Sequence, residues 1–275
     1  MIHATRLLRF CVDNESCIST LVARFSSFQP ISVSREVIIV WLDQFSPRDY
    51  ESALLTLENL AFYDVVRVRG LCKDLHSLLK QRLKGNSRQL NDCVFHPVGH
   101  LTESGTLLAN VYSKVNRIES QFCERSQVPE RIYTLRKKGR LPVVVLIDDF
   151  VGTGSKVLRD WDTGLDDIIP ADIPVLLLVL LGCRSGLRRI DESCRVDSEC
   201  VHITANRQYL DKCRALSPLA KKRIKQYCKK VGNWPLGFGE MGLLVSFYHG
   251  TPNNTISVIR GSKRQKPWKG ILPPS

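Results

Sequence analysis

Residues 143–155 read VVVLIDDFVGTGS. Asp148 and Asp149 stand side by side after five apolar residues, and Gly152 and Gly154 flank Thr153 just before Ser155. Such a run reads as a buried strand ending in two carboxylates, followed by a glycine-rich loop that opens a helix. In a parallel sheet, ligands bind beyond the carboxyl ends of the strands. Glycines let the backbone approach a ligand, and consecutive free N–H groups at a helix start hold a phosphate. Val151, Gly152, Thr153, Gly154 and Ser155 would form that cradle, with the hydroxyls of Thr153 and Ser155 as further donors. A phosphate cradle beside a carboxylate pair suits a sugar phosphate. A Walker-type NTPase would also place acids after an apolar strand, but the chain contains no G-x-x-x-x-G-K-[ST]. The bland alternative is a strand–turn–helix with ornamental aspartates, and two acids beside a G-T-G argue against it.

The elements that must position this segment fall into two regimes. Up to about residue 88 the patterns are helical. VIIVWL at 37–42 precedes a helix that Ser46, Pro47 and Asp49 would start, with Tyr50, Ala53, Leu54, Leu57, Leu60 and Ala61 at helical spacing. A further helix runs from about Val65 to Leu83, and 84–89 reads as a linker. Three or more short helices could form a winged-helix-like or a simple helical module, and periodicity leaves both open. From residue 89 strands alternate with helices: strand 93–99, helix 104–118, strand 143–148, helix 154–168, strand 173–182, helix 184–192, strand 200–204, helix 218–230, strand 243–249 and a short strand at 256–259. That alternation predicts an α/β domain over 89–260, a mainly parallel sheet with helices on both faces. Residues 261–275 form a basic, Pro-rich tail expected to dock loosely or to bind a partner.

The 275 residues include ten cysteines without a C-x-x-C pair, so a zinc site is weakly supported. Residues 1–30 show no signal-peptide pattern, being broken by Arg6, Arg9, Asp13, Glu15 and Arg24. The expectation is a cytoplasmic chain with reduced, mostly buried cysteines. The longest apolar stretch, Ile173 to Gly182, is too short to cross a bilayer as a helix. The formal charge of +13 resides in two segments: 206–230 has nine Lys or Arg against Asp211, and 260–269 has five with no acid. Such clustering suggests a nucleic acid or another polyanion. On the helix at 218–230, Lys221, Lys222, Arg223 and Lys225 are the nucleic-acid candidates, opposite an apolar face of Leu219, Ile224, Tyr227 and Cys228. A solvated basic face is the competing reading.

The segment VVVLIDDFVGTGS resembles the ribose-phosphate signature of type I phosphoribosyltransferases. FHPVGHLTESGTLLANVYSKVN and GFGEMGLLVSFYHGTPNNTISVI resemble a divergent branch of phosphoribosyltransferase-like proteins of bacterial conflict systems, found beside retron reverse transcriptases. WLDQFSPRDYESALLTLENLAFYD resembles the helical, often winged-helix-like, region that precedes the transferase-like domain there. The resemblance covers roughly residues 35–260 and implies a phosphoribosyltransferase-like, doubly wound sheet. It implies that Asp148 and Asp149 bind the ribose 2′ and 3′ hydroxyls, directly or through Mg²⁺, and that Val151 to Ser155 hold the 5′-phosphate. PVGHLTESG at 97–105 stands where the pyrophosphate loop belongs, with Ser104 and Gly105 as its candidates, and a later loop with His249, Asn253 and Asn254 would cap the site. Gly152 stands where purine-type members carry an aspartate near the base, so a general base must come from elsewhere or be unnecessary.

Two functions follow. One is an antiviral-defence effector, a Mg²⁺-dependent phosphoribosyl transferase or nucleotide glycosidase acting on a nucleotide or phosphoribosyl pyrophosphate. A retron reverse transcriptase and its RNA–DNA product would hold it in check. The other is a non-catalytic scaffold that senses a nucleotide or binds nucleic acid in the same complex. His96 and His100 flank the proposed pyrophosphate loop, as phosphate contacts or in a cap or surface role.

Overall fold

The computed structural model describes residues 2–99, 103–232, 234–261 and 267–274. By packing, the chain forms two compact units, Met1–Val65 with Ala205–Ser275, and Val66–Thr204. These boundaries differ from the divisions that composition suggests near 88 and 260.

The first unit begins with helices α1 (Ile2–Asp13), α2 (Glu15–Phe25), α3 (Arg35–Leu42) and α4 (Tyr50–Glu58). Ser34 caps α3 by accepting from the Val37 N–H. Ser46 acts differently from a simple cap. Its hydroxyl donates to Asp49 Oδ2 at 2.6 Å, and Pro47–Asp49 make a 3₁₀ turn ahead of α4. The region is not wholly helical, because Ala61–Tyr63 is a strand, β1. Three residues are too few for a period-2 pattern to register.

The second unit opens with α5 (Val65–Gly85), whose buried face of Val68, Leu71, Cys72, Leu75 and Leu79 matches the helical stripe. Then come β2 (Cys93–Pro97), α6 (Ser104–Asn116), α7 (Val128–Lys137), β3 (Val143–Val151), α8 (Ser155–Asp160), a π turn at Trp161–Leu165, α9 (Asp166–Ile168), β4 (Val175–Gly182), α10 (Arg184–Ser193) and β5 (Val196–Ile203). The four strands are parallel, in the order β2-β3-β4-β5. Tyr112 of α6 packs on Phe95 of β2, with ring centroids 6.0 Å apart. A separate apolar cluster joins Val144, Leu146, Leu177 and Val179 to Ile132 of α7, Val157 of α8 and Ile190 of α10. Helices thus cover both faces, and every residue of β3 and β4 is buried. Such strands read as unbroken apolar runs rather than alternating ones. Each fully buried Leu, Ile or Val side chain contributes about 1.5–3 kcal/mol relative to exposure.

Three readings of this unit change. Strand β3 continues to Val151 instead of ending at 148, because Phe150 and Val151 pair with Leu181 and Gly182 of β4. The ladder with β2 stops at Ile147, so the two aspartates lie where only one neighbour strand remains. The helix expected over 154–168 is interrupted at Gly164, where φ is +138°. Helix α7 escaped the periodicity reading because only Val128 and Ile132 on it are buried.

The chain then returns to the first unit with α11 (Pro218–Val231), β6 (Val245–Phe247) and α12 (Ser257–Arg260). Ser217 caps α11 by accepting from the Ala220 N–H. Its buried face is Ala220, Ile224, Cys228 and Val231, and Leu219, expected there, is 55% exposed. Strand β6 pairs in parallel with β1. Ser257–Arg260 form a helical turn where a short strand is expected at 256–259, since so short a run carries no readable period. The end of the chain is firmly docked over 267–274. Ile271 and Leu272 are fully buried, and Trp268 sits edge-on to Phe45 at 5.1 Å. All ten cysteines are free thiols. No helix among the described residues is long and apolar enough to cross a membrane.

Candidate functional site

Asp148 and Asp149 face α6 across the gap that β2 leaves. Ser104, the first residue of α6, donates its hydroxyl to Asp149 Oδ1 at 2.8 Å. A Cβ on Gly105 would stand 2.4 Å from the Val98 carbonyl oxygen and 3.3 Å from Asp148 Oδ1, so only glycine lets the helix start this close to the strand. The expected pyrophosphate-loop residues and the two acids therefore converge. His100 lies outside the described residues, and His96 is 4% exposed, which rules out a surface role for it.

Asp148 is fully buried, and its Oδ1 accepts from Lys156 Nζ at 2.9 Å and from the Asp149 N–H at 3.1 Å. Its Oδ2 has no hydrogen-bond partner among the described residues. Lys156 also lies 3.4 Å from Glu103 Oε2. Burial pushes the Asp148 carboxyl up to about 7; Lys156 opposes this and Asp149 adds to it. Burial alone would lower the Lys156 ammonium, but Asp148 and Asp149 outweigh it and hold the group above its usual range. Lys156 is therefore cationic at neutral pH.

The folded chain thus binds the Asp148 proton more tightly than the unfolded chain. This contribution to stability is fully present below the ordinary carboxylate range and is lost as pH rises toward about 7. Thermal midpoints taken from pH 4 to 8 should decline across that window, and Asp148→Asn should flatten the decline.

The loop after β3 is held by glycines on both sides. Gly154 has φ +79°, and a Cβ there would meet the Gly186 carbonyl oxygen at 2.8 Å. Thr153 donates its hydroxyl to Ser155 Oγ at 3.0 Å. Arg189 of α10 donates to the Thr153 carbonyl at 3.3 Å and to Ser155 Oγ at 3.0 Å. A cation beside a loop of backbone amides and hydroxyls is a setting that favours a phosphate. On the other side, Asp160 accepts from the Gly99 N–H at 2.9 Å and pairs with Arg125, tying the segment after β2 to α8.

Sequence reasoning missed Lys156, Glu103, Arg189 and Gly186. Lys156 was accessible, being the residue that follows Ser155. The others had no local signal, because their roles come from tertiary contacts. Magnesium does not fit Asp148 as placed. One oxygen already faces an ammonium, and the other is enclosed, so a divalent cation would lie against Lys156. Asp149 alone is left as a ligand from the pair.

His249, Asn253 and Asn254 lie in the first unit. His249 stacks on Phe247 with centroids 5.4 Å apart. Asn254 donates to the Phe238 carbonyl at 2.8 Å, and the Asn253 carbonyl accepts from the Phe238 N–H at 2.8 Å. On α11, Lys222 is exposed, while Lys225 pairs with Asp211 at 2.6 Å and Lys221 donates to the Asp211 carbonyl at 3.0 Å. Arg223 is structural as well as basic: it pairs at 3.1 Å with Asp49, which is 2% exposed.

A family model described as PRTase-CE matches residues 38–273. No curated protein matches the chain significantly. Among solved structures, UMP synthase from Leishmania donovani is similar at 15% identity and a TM-score of 0.36, over 60% of this chain and 33% of that one. This chain therefore spans about a third of that protein's length. An orotate phosphoribosyltransferase from Aeropyrum pernix is similar at 18% identity and a TM-score of 0.31, over 51% of this chain and 77% of that one.

Proposed function

The chain belongs to the PRTase-CE family, and on that premise we propose that its second unit holds a ribose 5-phosphate group, as phosphoribosyl pyrophosphate or a nucleotide. The reaction would be phosphoribosyl transfer or cleavage of a nucleotide N-glycosidic bond. The observation that carries this reading is the juxtaposition of Asp149, bonded to Ser104, with the backbone loop at Gly152–Ser155 three residues further on.

Each residue then has a role. The amides and hydroxyls of Thr153 and Ser155, with Arg189 beside them, would receive the 5′-phosphate. Asp149 would accept from the ribose hydroxyls. Lys156 neutralises Asp148, so the negative charge near the sugar belongs mainly to Asp149. As the bond to C1 breaks, that carboxylate favours the positive charge developing on the ribose. Gly152 supplies no acid near a base, and no general base is assigned from this segment.

In the cell we assign this chemistry to a cytoplasmic antiviral-defence effector of the retron kind, restrained by a reverse transcriptase and its RNA–DNA product. The basic segments support a polyanion partner. The purified chain should be incubated with phosphoribosyl pyrophosphate and with a panel of nucleotides, with and without that partner, and the products identified by mass spectrometry. Consumption of neither class of substrate under any condition would remove the enzymatic reading.

The exposed cations of α11 support a nucleic-acid scaffold as the second reading, and they can be tested separately. Changing Lys221, Lys222 and Lys225 to Gln should weaken nucleic-acid binding and flatten its salt dependence by about one unit per lost phosphate contact. Adding Arg223→Gln should lower the thermal midpoint further, because the buried Asp49 then loses a charged partner. Binding across a salt series, with thermal melts alongside, separates the two effects. Identical slopes for wild type and triple variant would make this helix an ordinary solvated face.

A further inference from the structure

Helix α11 carries Lys221, Lys222, Arg223, Lys225, Lys229 and Lys230, and no acid. Its cations therefore have no partner of opposite charge on their own helix. Lys222, Gln226, Lys229 and Lys230 are exposed and follow helical spacing, opposite the buried Ala220, Ile224, Cys228 and Val231. Lys222 and Lys229 have no acid partner among the described residues. Lys230 lies over the Tyr227 ring at 5.0 Å. Stability does not call for such a row. Lys229 and Lys230 complement the negative end of the helix dipole, but Lys221 falls in the first turn, where a cation is disfavoured.

The helix ends at Val231, and Trp234 follows three residues later, its Cα at most about 14 Å from that of Lys230 along an extended chain. Trp234 is 49% exposed, whereas Trp41 and Trp161 are buried. Trp41 and Trp268 donate their indole N–H to the Val258 carbonyl, at 2.8 and 3.0 Å. The Trp234 indole has no such partner among the described residues. Phe238 stands at 86° to its ring with centroids 5.3 Å apart, and the Trp234 carbonyl accepts from the Gly237 N–H at 3.0 Å. The ring is thus held against a neighbour and left half open to solvent, at the end of a row of uncompensated cations. Phosphates match the cations, and an unpaired base matches the open aromatic surface. A duplex keeps its base faces stacked inside, and an acidic peptide has none.

We infer that Trp234 is a stacking platform for an unpaired base of a single-stranded nucleic acid whose backbone follows Lys222, Lys229 and Lys230. This rests on the nucleic-acid reading of α11, and adds to it the strandedness of the partner and the residue that senses it. The helix offers no carboxylate to accept from a 2′-hydroxyl, so the surface recognises a single strand by its phosphates and base faces, whichever sugar it carries.

Oligothymidylate and an abasic DNA strand of equal length test this on the full-length chain, since they share a charge and differ in the bases. The wild type should bind oligothymidylate about tenfold more tightly than the abasic strand, the worth of stacking one base. Trp234→Ala should bring that ratio close to one and leave both the salt slope and duplex binding as they are. Trp234→Phe, which keeps an aromatic face, should retain part of the ratio. Lys222→Gln with Lys229→Gln should keep the ratio and flatten the salt slope by about 0.7 per lost phosphate contact. The wild-type comparison needs no variant, so a Trp234 variant that fails to fold cannot obscure it. Equal affinities of the two strands for the wild type would overturn the inference, as would a Trp234→Ala chain that folds and keeps the ratio or loses duplex and single-strand binding alike. Either result would leave the nucleic-acid reading of α11 standing, whereas failure to bind any strand would remove both.

Discussion

Asp149→Asn should lower phosphoribosyl chemistry by roughly 10²–10³-fold while the thermal midpoint stays where it is, because the change removes charge where it develops in the transition state and little else. Asparagine has nearly the same shape, and its Oδ1 can still accept from Ser104, so the hydrogen bond at 2.8 Å survives. The local packing survives too, since an amide fills nearly the same volume as the carboxylate. Asp148→Asn should have a smaller effect on rate, acting through the freed Lys156 rather than on the sugar. With both replaced, activity should vanish and the chain should still melt cooperatively. Initial rates on whichever substrate class is consumed, beside a melt of each variant, decide the matter. A double variant that folds and turns over at the wild-type rate would remove the catalytic reading and leave a nucleotide-binding scaffold.

Much of this site was legible because strand burial and loop chemistry are local. An unbroken apolar run means a strand covered on both faces, and β3 and β4 are such strands. The acids and the G-T-G loop then had to follow on the same chain. What failed depended on partners distant in sequence. The extension of β3 to Val151 comes from pairing with β4. The apolar face of α11 turned away from Leu219 because Ala220 and Val231 take the buried positions. Strand β1 exists only because β6, more than 180 residues later, runs beside it. The tail read as loosely docked from its Pro and Lys content, but Ile271 and Leu272 are buried completely. Arg223 read as one more surface cation, and Asp49, which it pairs, lies far back in the chain.

Gly186 is the sharpest case of a residue with no sequence signal, and Gly186→Ala should cost ribose-phosphate binding on the order of 10²-fold. A Cβ at this position would stand 2.0 Å from the Gly152 carbonyl oxygen, 2.9 Å from the Gly152 carbonyl carbon and 3.1 Å from the Gly154 nitrogen. All three are backbone atoms, so no side chain can swing aside, and either α10 or the phosphate loop must move. Helix α10 is held by Leu187 and Ile190 in the core, whereas Gly152–Gly154 belong to neither helix nor strand, so the loop should yield. A displacement near 1 Å at a positioning group is enough for a loss of about 10²-fold. Overpacking of this kind costs ~1–3 kcal/mol, against up to about 1 kcal/mol gained by replacing glycine inside a helix. The fold should therefore survive with a modestly lowered melting point. Gly70→Ala in α5 is the matched control, because nothing lies within 4 Å of its added Cβ. That variant should keep full binding and gain the helix-propensity benefit alone. If Gly186→Ala instead folds and binds the ribose phosphate as the wild type does, the loop at Gly152–Ser155 is not the phosphate cradle. The 5′-phosphate would then have to be sought elsewhere along the carboxyl edge of the sheet.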